Sequence, residues 1–167
     1  MIYATRQDMT QRFGEAELIA LTDRDGTGQI GAAVLARAMD DAQATVDGYI
    51  GKLYRLPLVG CIKPATVPTG GTASTAFYVS PPMLTRLSCD LARYYLYTDL
   101  PDEHEVSRRY KQAMAELMSI ATGKTQLVCP WGGSPGVALD ADPLQSHEVM
   151  HSFAPRQLSA DSLRGFG

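Results

Sequence analysis

Ile30-Gly31-Ala32-Ala33-Val34-Leu35-Ala36-Arg37-Ala38-Met39-Asp40-Asp41-Ala42-Gln43-Ala44-Thr45-Val46-Asp47-Gly48-Tyr49-Ile50-Gly51-Lys52-Leu53-Tyr54-Arg55-Leu56-Pro57 decides the fold. Its apolar residues recur at Leu35, Met39, Ala42, Val46, Tyr49, Ile50 and Leu53. Steps of three and four lay them along one face of a helix. Arg37, Asp40, Asp41, Gln43 and Asp47 fall on the opposite face. The many alanines favour helix and let a neighbour approach closely. A helix from Ile30 to Leu53 would be roughly 36 Å long, and Leu56-Pro57 marks its stop. Gly48 and Gly51 lie in its last turns, where each costs about 1 kcal/mol relative to alanine. Their presence there predicts close approach of another backbone, with simple fraying of the helix end as the alternative.

Two shorter helices precede this one. Thr5 and Asp8 have the spacing of a capping box for Arg6 to Phe13, and Gly14 supplies a stop. Glu15 to Leu21 forms a second short helix. Asp23 to Gly28 is a turn rich in Asp and Gly. It imitates a calcium loop up to Ile30, but Val34 stands where the bidentate carboxylate belongs. The residue types are those of a turn.

Two further stripes follow. Leu84, Leu87, Leu91, Tyr94 and Tyr95 line a helix that Ser80 caps, with Pro81 in its first turn. After Pro101, Asp102 and Glu103 suit a helix start. Val106, Tyr110, Ala113, Met114, Leu117, Ile120 and Ala121 continue the period to Gly123. The spacing predicts a common core of Leu35, Val46, Tyr49, Leu87, Leu91, Tyr110, Met114 and Leu117. Tyr94, Tyr95 and Tyr97 beside Arg93 could stack on bases, but their spacing fits the core.

Between the stripes, Cys61 to Val79 holds prolines, Gly70-Gly71 and five threonines or serines, flanked by Ile62 and Phe77-Tyr78-Val79. That pattern predicts a hairpin-like insertion with its tip at Thr69, Gly70, Gly71 and Thr72. Gln126 to Cys129 is a candidate short strand. Beyond it the period is lost, yet Trp131, Val149, Met150, Phe153, Leu158, Leu163 and Phe166 are too many large apolar groups for a solvated linker. The fold class is mainly α: a small helical bundle with a long central helix, a hairpin-like insertion and an extended C-terminal tail. The division is a helical core over 1–127, with the insertion at about 61–79, and an arm over 128–167.

The net charge of −3 argues against a dedicated nucleic-acid binder. Cys61, Cys89 and Cys129 form no CxxC pair, so reduced thiols in a cytoplasm are the expectation. There is no signal-peptide core in Met1 to Thr10 and no apolar run of membrane-spanning length. Gly123-Lys124-Thr125 lacks the earlier glycine of a P-loop, having Met118 there. His147-Glu148-Val149-Met150-His151 meets the zinc-protease pattern literally, but Asp142-Pro143 and Pro155 leave about two helical turns and no third ligand follows. A metal-dependent hydrolase using His147, Glu148 and His151 is therefore the alternative reading, and no cofactor is expected otherwise.

Several short runs carry a resemblance: Tyr3-Ala4-Thr5-Arg6-Gln7-Asp8, Arg12-Phe13-Gly14-Glu15, Leu21-Thr22-Asp23-Arg24, Val46-Asp47-Gly48-Tyr49-Ile50, Tyr54-Arg55-Leu56-Pro57-Leu58, Cys89-Asp90-Leu91-Ala92-Arg93-Tyr94 and Arg109-Tyr110-Lys111. Over about Met1 to Leu127 the chain resembles small virion proteins of Mu-like phages and prophages, of the head–tail connector or adaptor type. Leu53-Tyr54 stands where that family has Arg-Tyr, and the insertion is longer than its usual form. The resemblance implies a non-enzymatic ring of twelve copies under the portal, in the neck of the virion, assembled in the host cytoplasm. Implied partners are the portal protein, a tail-side neck or terminator protein, further copies of the chain, and phage DNA passing without sequence-specific contact. No membrane is involved. Composition then assigns portal contact to Trp131, Phe153, Arg156, Leu158, Leu163, Arg164 and Phe166. It assigns subunit or tail contact to Thr69, Gly70, Gly71, Thr72, Gly48 and Gly51.

Overall fold

The computed structural model describes residues 2–64 and 77–139. Among them are five helices and one two-stranded ribbon: α1 (Arg6–Phe13), α2 (Glu15–Thr22), α3 (Ala32–Ile50), β1 (Cys61–Lys63), β2 (Phe77–Val79), α4 (Pro82–Leu96) and α5 (Glu105–Ala121). The fold is mainly helical, as the three apolar stripes predict. Helix α3 packs chiefly on α4, and α4 on α5.

The capping box at α1 forms as expected: Thr5 Oγ1 accepts from the Asp8 N–H at 3.2 Å, and Asp8 Oδ2 accepts from the Thr5 N–H at 2.8 Å. Helix α3 is shorter than the 30–53 stripe. Its 19 residues are roughly 28 Å long. The start is displaced because Gly31 sits against α2, where its N–H donates to Thr22 Oγ1 at 2.9 Å. A Cβ on Gly31 would lie 2.3 Å from the Thr22 carbonyl oxygen, so only glycine fits. The regular helix ends at Ile50, although the Tyr54 N–H still donates to the Ile50 carbonyl at 3.0 Å. Leu56-Pro57 is a cis peptide.

Leu35, Val46, Leu87, Leu91 and Leu117 are buried in one core with Met9, Leu18, Ile50, Leu84 and Ile120. Tyr49, Tyr110 and Met114 are only half-buried and pack against its edge. Tyr94 and Tyr110 stack at 3.9 Å between centroids, joining α4 to α5. Arg93 is held by Glu17 at 2.7 and 3.0 Å and lies 4.6 Å over the Phe13 ring. That aromatic and arginine group braces helices.

Three local expectations are corrected. Ser80 does not cap α4: Pro81 takes the cap position, Pro82 is the first helical residue, and the buried Ser80 hydroxyl finds no partner among the described residues. Helix α5 is capped by His104, whose Nδ1 accepts from the Val106 N–H at 3.2 Å, and begins later than Asp102 and Glu103. Gln126 to Cys129 is not a strand, because its bonds go elsewhere: the Leu127 N–H donates to Tyr54 Oη at 3.0 Å, and the Cys129 N–H to the Gly133 carbonyl at 3.2 Å.

The described part of the arm, 128–139, lies along the segment that follows α3. Gly60 N–H donates to the Pro135 carbonyl at 2.8 Å, Arg55 N–H to Val137 at 2.9 Å, and Leu139 N–H to the Leu53 carbonyl at 2.7 Å. Tyr54 and Ala138 form an isolated antiparallel bridge. Gly136 lets this contact close, since a Cβ there would lie 2.7 Å from Leu58 Cδ2.

Candidate interaction surface

The expectation of reduced cysteines is corrected for two of the three. Cys61, the first residue of β1, is bonded to Cys129, with their Cα atoms 5.4 Å apart. The residues are 68 positions apart in sequence, so no local spacing pattern reveals the pair. Cys89 remains a free thiol. It is fully buried, and burial pushes its pKa up to about 12, which leaves it unreactive.

The disulfide anchors the ribbon. Strands β1 and β2 are antiparallel, with Cys61 opposite Val79, Ile62 opposite Tyr78 and Lys63 opposite Phe77. The insertion therefore begins and ends as a hairpin. Its tip, with Thr69, Gly70, Gly71 and Thr72, lies outside the described residues. Successive strand residues point to opposite faces, so Ile62 and Tyr78 share one face, and Lys63 and Phe77 the other. The first face is exposed and apolar, with Ile62 53% and Tyr78 58% exposed; on the second, Phe77 is 49% exposed beside the charged Lys63, while Cys61 is buried. A two-stranded ribbon alone is marginally stable in water. Here the disulfide ties it to the segment after α5.

Trp131 joins this surface. The Lys63 ammonium lies 5.8 Å from the Trp131 ring centroid and 5.9 Å from that of Phe77. Trp131, Lys63 and Ile2 border one cleft of about 390 Å³, with Tyr3, Arg12 and Ser80 around it. Tyr3 is fixed by donating its hydroxyl to Asp47 of α3; burial, then Asp47, raises its pKa. The predicted arm residue Trp131 is thus grouped with the ribbon. Phe153, Arg156, Leu158, Leu163, Arg164 and Phe166 lie outside the described residues, as do His147, Glu148 and His151.

The two helix glycines separate. A Cβ on Gly51 would meet the Asp47 carbonyl at 2.9 Å and Leu56 Cδ1 at 3.1 Å, so the close approach there is made by the chain itself. Gly48 is exposed, and a Cβ there meets nothing within 4 Å. Gly48→Ala is therefore expected to stabilise the isolated protein by about 0.5–1 kcal/mol, measured by urea unfolding. If Gly48 also touches a neighbouring copy, the same variant assembles less well; unchanged assembly removes it from the contact.

Other sequence patterns resolve into local structure. Asp23 Oδ1 accepts from the Thr27 N–H at 2.9 Å, and Oδ2 from the Gly28 N–H at 2.6 Å. These bonds hold its pKa below the usual carboxylate range, so the turn gains stability above that range and loses it on acidification. Calorimetric titration with calcium is expected to show no micromolar binding; an isotherm abolished by Asp23→Ala would contradict this. Gly132-Gly133-Ser134-Pro135-Gly136 spells G-x-S-x-G, but a nucleophile elbow joins a strand to a helix. This stretch is a turn, in which Ser134 Oγ donates to the Gly136 carbonyl at 2.7 Å. Among the described residues no three His, Cys, Asp or Glu side chains group as a metal site, and no helix is long and apolar enough to cross a membrane.

Comparison with known proteins gives two matches. The family described as Bacteriophage Mu, Gp36 matches residues 3–135, which include the ribbon, both bonded cysteines and Trp131. Gene product J of Escherichia phage Mu is 30% identical over 126 residues, covering 75% of this chain and 75% of that protein.

Proposed function

Because the chain belongs to the Bacteriophage Mu, Gp36 family, we propose that it is a structural virion protein of a tailed phage. Its role in this reading is a head–tail connector, or adaptor, forming a ring of twelve copies beneath the portal. The observation that carries the proposal is the ribbon, which exposes Ile62 and Tyr78 on one face and Phe77 on the other and is covalently anchored to a small helical body. A surface of that kind suits contact with other proteins. Ile62, Phe77, Tyr78 and Trp131, with the insertion tip at Thr69 to Thr72, make the contact to a neighbouring copy or the tail-side neck protein. The arm residues Phe153, Arg156, Leu158, Leu163, Arg164 and Phe166 reach the portal, and repetition around a ring compensates for weak single contacts. A net charge of −3 suits a channel that DNA must pass without sticking. The site of action is the virion neck, after assembly in the host cytoplasm, and no catalytic step is involved.

Native mass spectrometry and phage assembly test this. Deleting residues 66–74 is expected to leave a folded monomer that forms no ring and joins no tails. Truncation after Leu139 keeps the disulfide and the Tyr54 contacts, so the body should stay folded while portal binding is lost. Normal heads joined to tails in both variants would overturn the proposal.

A further inference from the structure

A second apolar surface lies away from the ribbon. A groove of about 250 Å³ runs along the first half of α3, between Ala32, Leu35, Ala36 and Met39 on one side and Ile2 and Ala4 on the other. Ser88 of α4 also lines it. Ser88 is 2% exposed, and its hydroxyl has no hydrogen-bond partner among the described residues. A buried hydroxyl without a partner costs about 1–3 kcal/mol, and a main-chain group entering the groove would satisfy it. Arg6 and Asp40 stand at the rim and offer one charge of each sign.

The arm has matching chemistry and the reach. Val149 and Met150 lie four and three residues before Phe153, and Glu148 beside them is opposite in charge to Arg6. Leu139, the last described residue, donates its N–H to the Leu53 carbonyl. The bridge there is antiparallel, so residues 137 to 139 run past 55 to 53, toward the end of α3. From Leu53 back to Met39 is roughly 21 Å at the helical rise. The residues from 140 to 148 can extend to roughly 30 Å.

We propose that residues 147–153 of the arm seat in this groove of their own chain while the protein is free. The arm's apolar residues are then covered while the protein is free. This goes beyond the connector reading and does not depend on it.

Photo-crosslinking of the full chain tests it, with p-benzoylphenylalanine replacing Met39 and isotopically heavy and light chains mixed. The expected product is a crosslink from the groove to a peptide within 140–167 of the same chain. Crosslinks joining heavy to light chains, or none to 140–167, would overturn the proposal. A separate pair of variants guards against local disturbance by the probe. Ala36→Glu places a charge in the groove from an exposed helical position, and Phe153→Asp removes an anchor from the arm. Each is expected to speed proteolytic cleavage within 140–167 about tenfold or more, at an unchanged melting temperature of the body. Cleavage unaffected by both variants contradicts the docking. Neither measurement involves portal or ring, so a failed connector reading leaves the result intact.

Discussion

Cys129→Ser lowers the unfolding free energy by about 4 kcal/mol, the value expected when a crosslink spanning 68 residues is lost from the denatured chain. The change removes more than a bond. Cys61 is fully buried and Cys129 is 6% exposed, so both sit in ordered surroundings. Without the bond, the ribbon and the turn at Gly132-Gly133 keep only weaker ties, the short ladder, the Gly60–Pro135 hydrogen bond and the Lys63–Trp131 contact. Urea unfolding of the oxidised protein, the Cys129→Ser variant and the protein in reducing agent makes the measurement. Reduction and substitution should agree within the usual scatter. Amide exchange should then quicken first at Ile62 and Tyr78, ahead of α3 and α4. A loss under about 1 kcal/mol would mean that the thiols are not bonded in the folded protein.

Leu91→Ala costs about 2–5 kcal/mol. Leu91 is fully buried at the middle of α4, in the core that this helix shares with α3 and α5. Truncation there removes apolar contacts and leaves a cavity that rigid helices on both sides cannot close. The melting temperature should fall roughly 2–4 °C for each kcal/mol in a chain of this size. Met118→Ala is the control, because Met118 lies on α5 at 48% exposure and surface changes usually stay within about 0.5 kcal/mol. Equal effects at the two positions would contradict the assignment of the α4 stripe to the core.

These two effects differ in how visible they are in the sequence. Leu91 is visible because helical packing repeats every three or four residues, and a repeat survives inspection of one segment alone. The same holds for Leu35, Val46, Leu87 and Leu117, and for the Thr5–Asp8 cap. The Cys61–Cys129 bond is invisible to that method because its partners meet only after α4 and α5 have folded between them. Tyr54 is a similar case. It falls just past the helical stripe, and no periodicity shows that its hydroxyl receives the Leu127 N–H or that its backbone pairs with Ala138. The candidate surface is legible in part. β-type residues at Ile62 and Phe77-Tyr78-Val79 signal a hairpin, but their exposure depends on what the body leaves uncovered. Trp131 reads as part of the arm and belongs with the ribbon because Lys63 and the turn after Cys129 place it there.

The bond between Cys61 and Cys129 also defines a path for mechanical load. Once the arm beyond Leu139 has been drawn out, tension applied through it meets the hydrogen bonds to Leu53, Arg55 and Gly60. If those yield, the pull passes straight from Cys129 into the base of the ribbon. The stretch between the two cysteines, which contains α4 and α5, then lies on a slack branch and bears none of the force. A joint strained between two large bodies could thus lengthen at its edge while its helical centre stays packed.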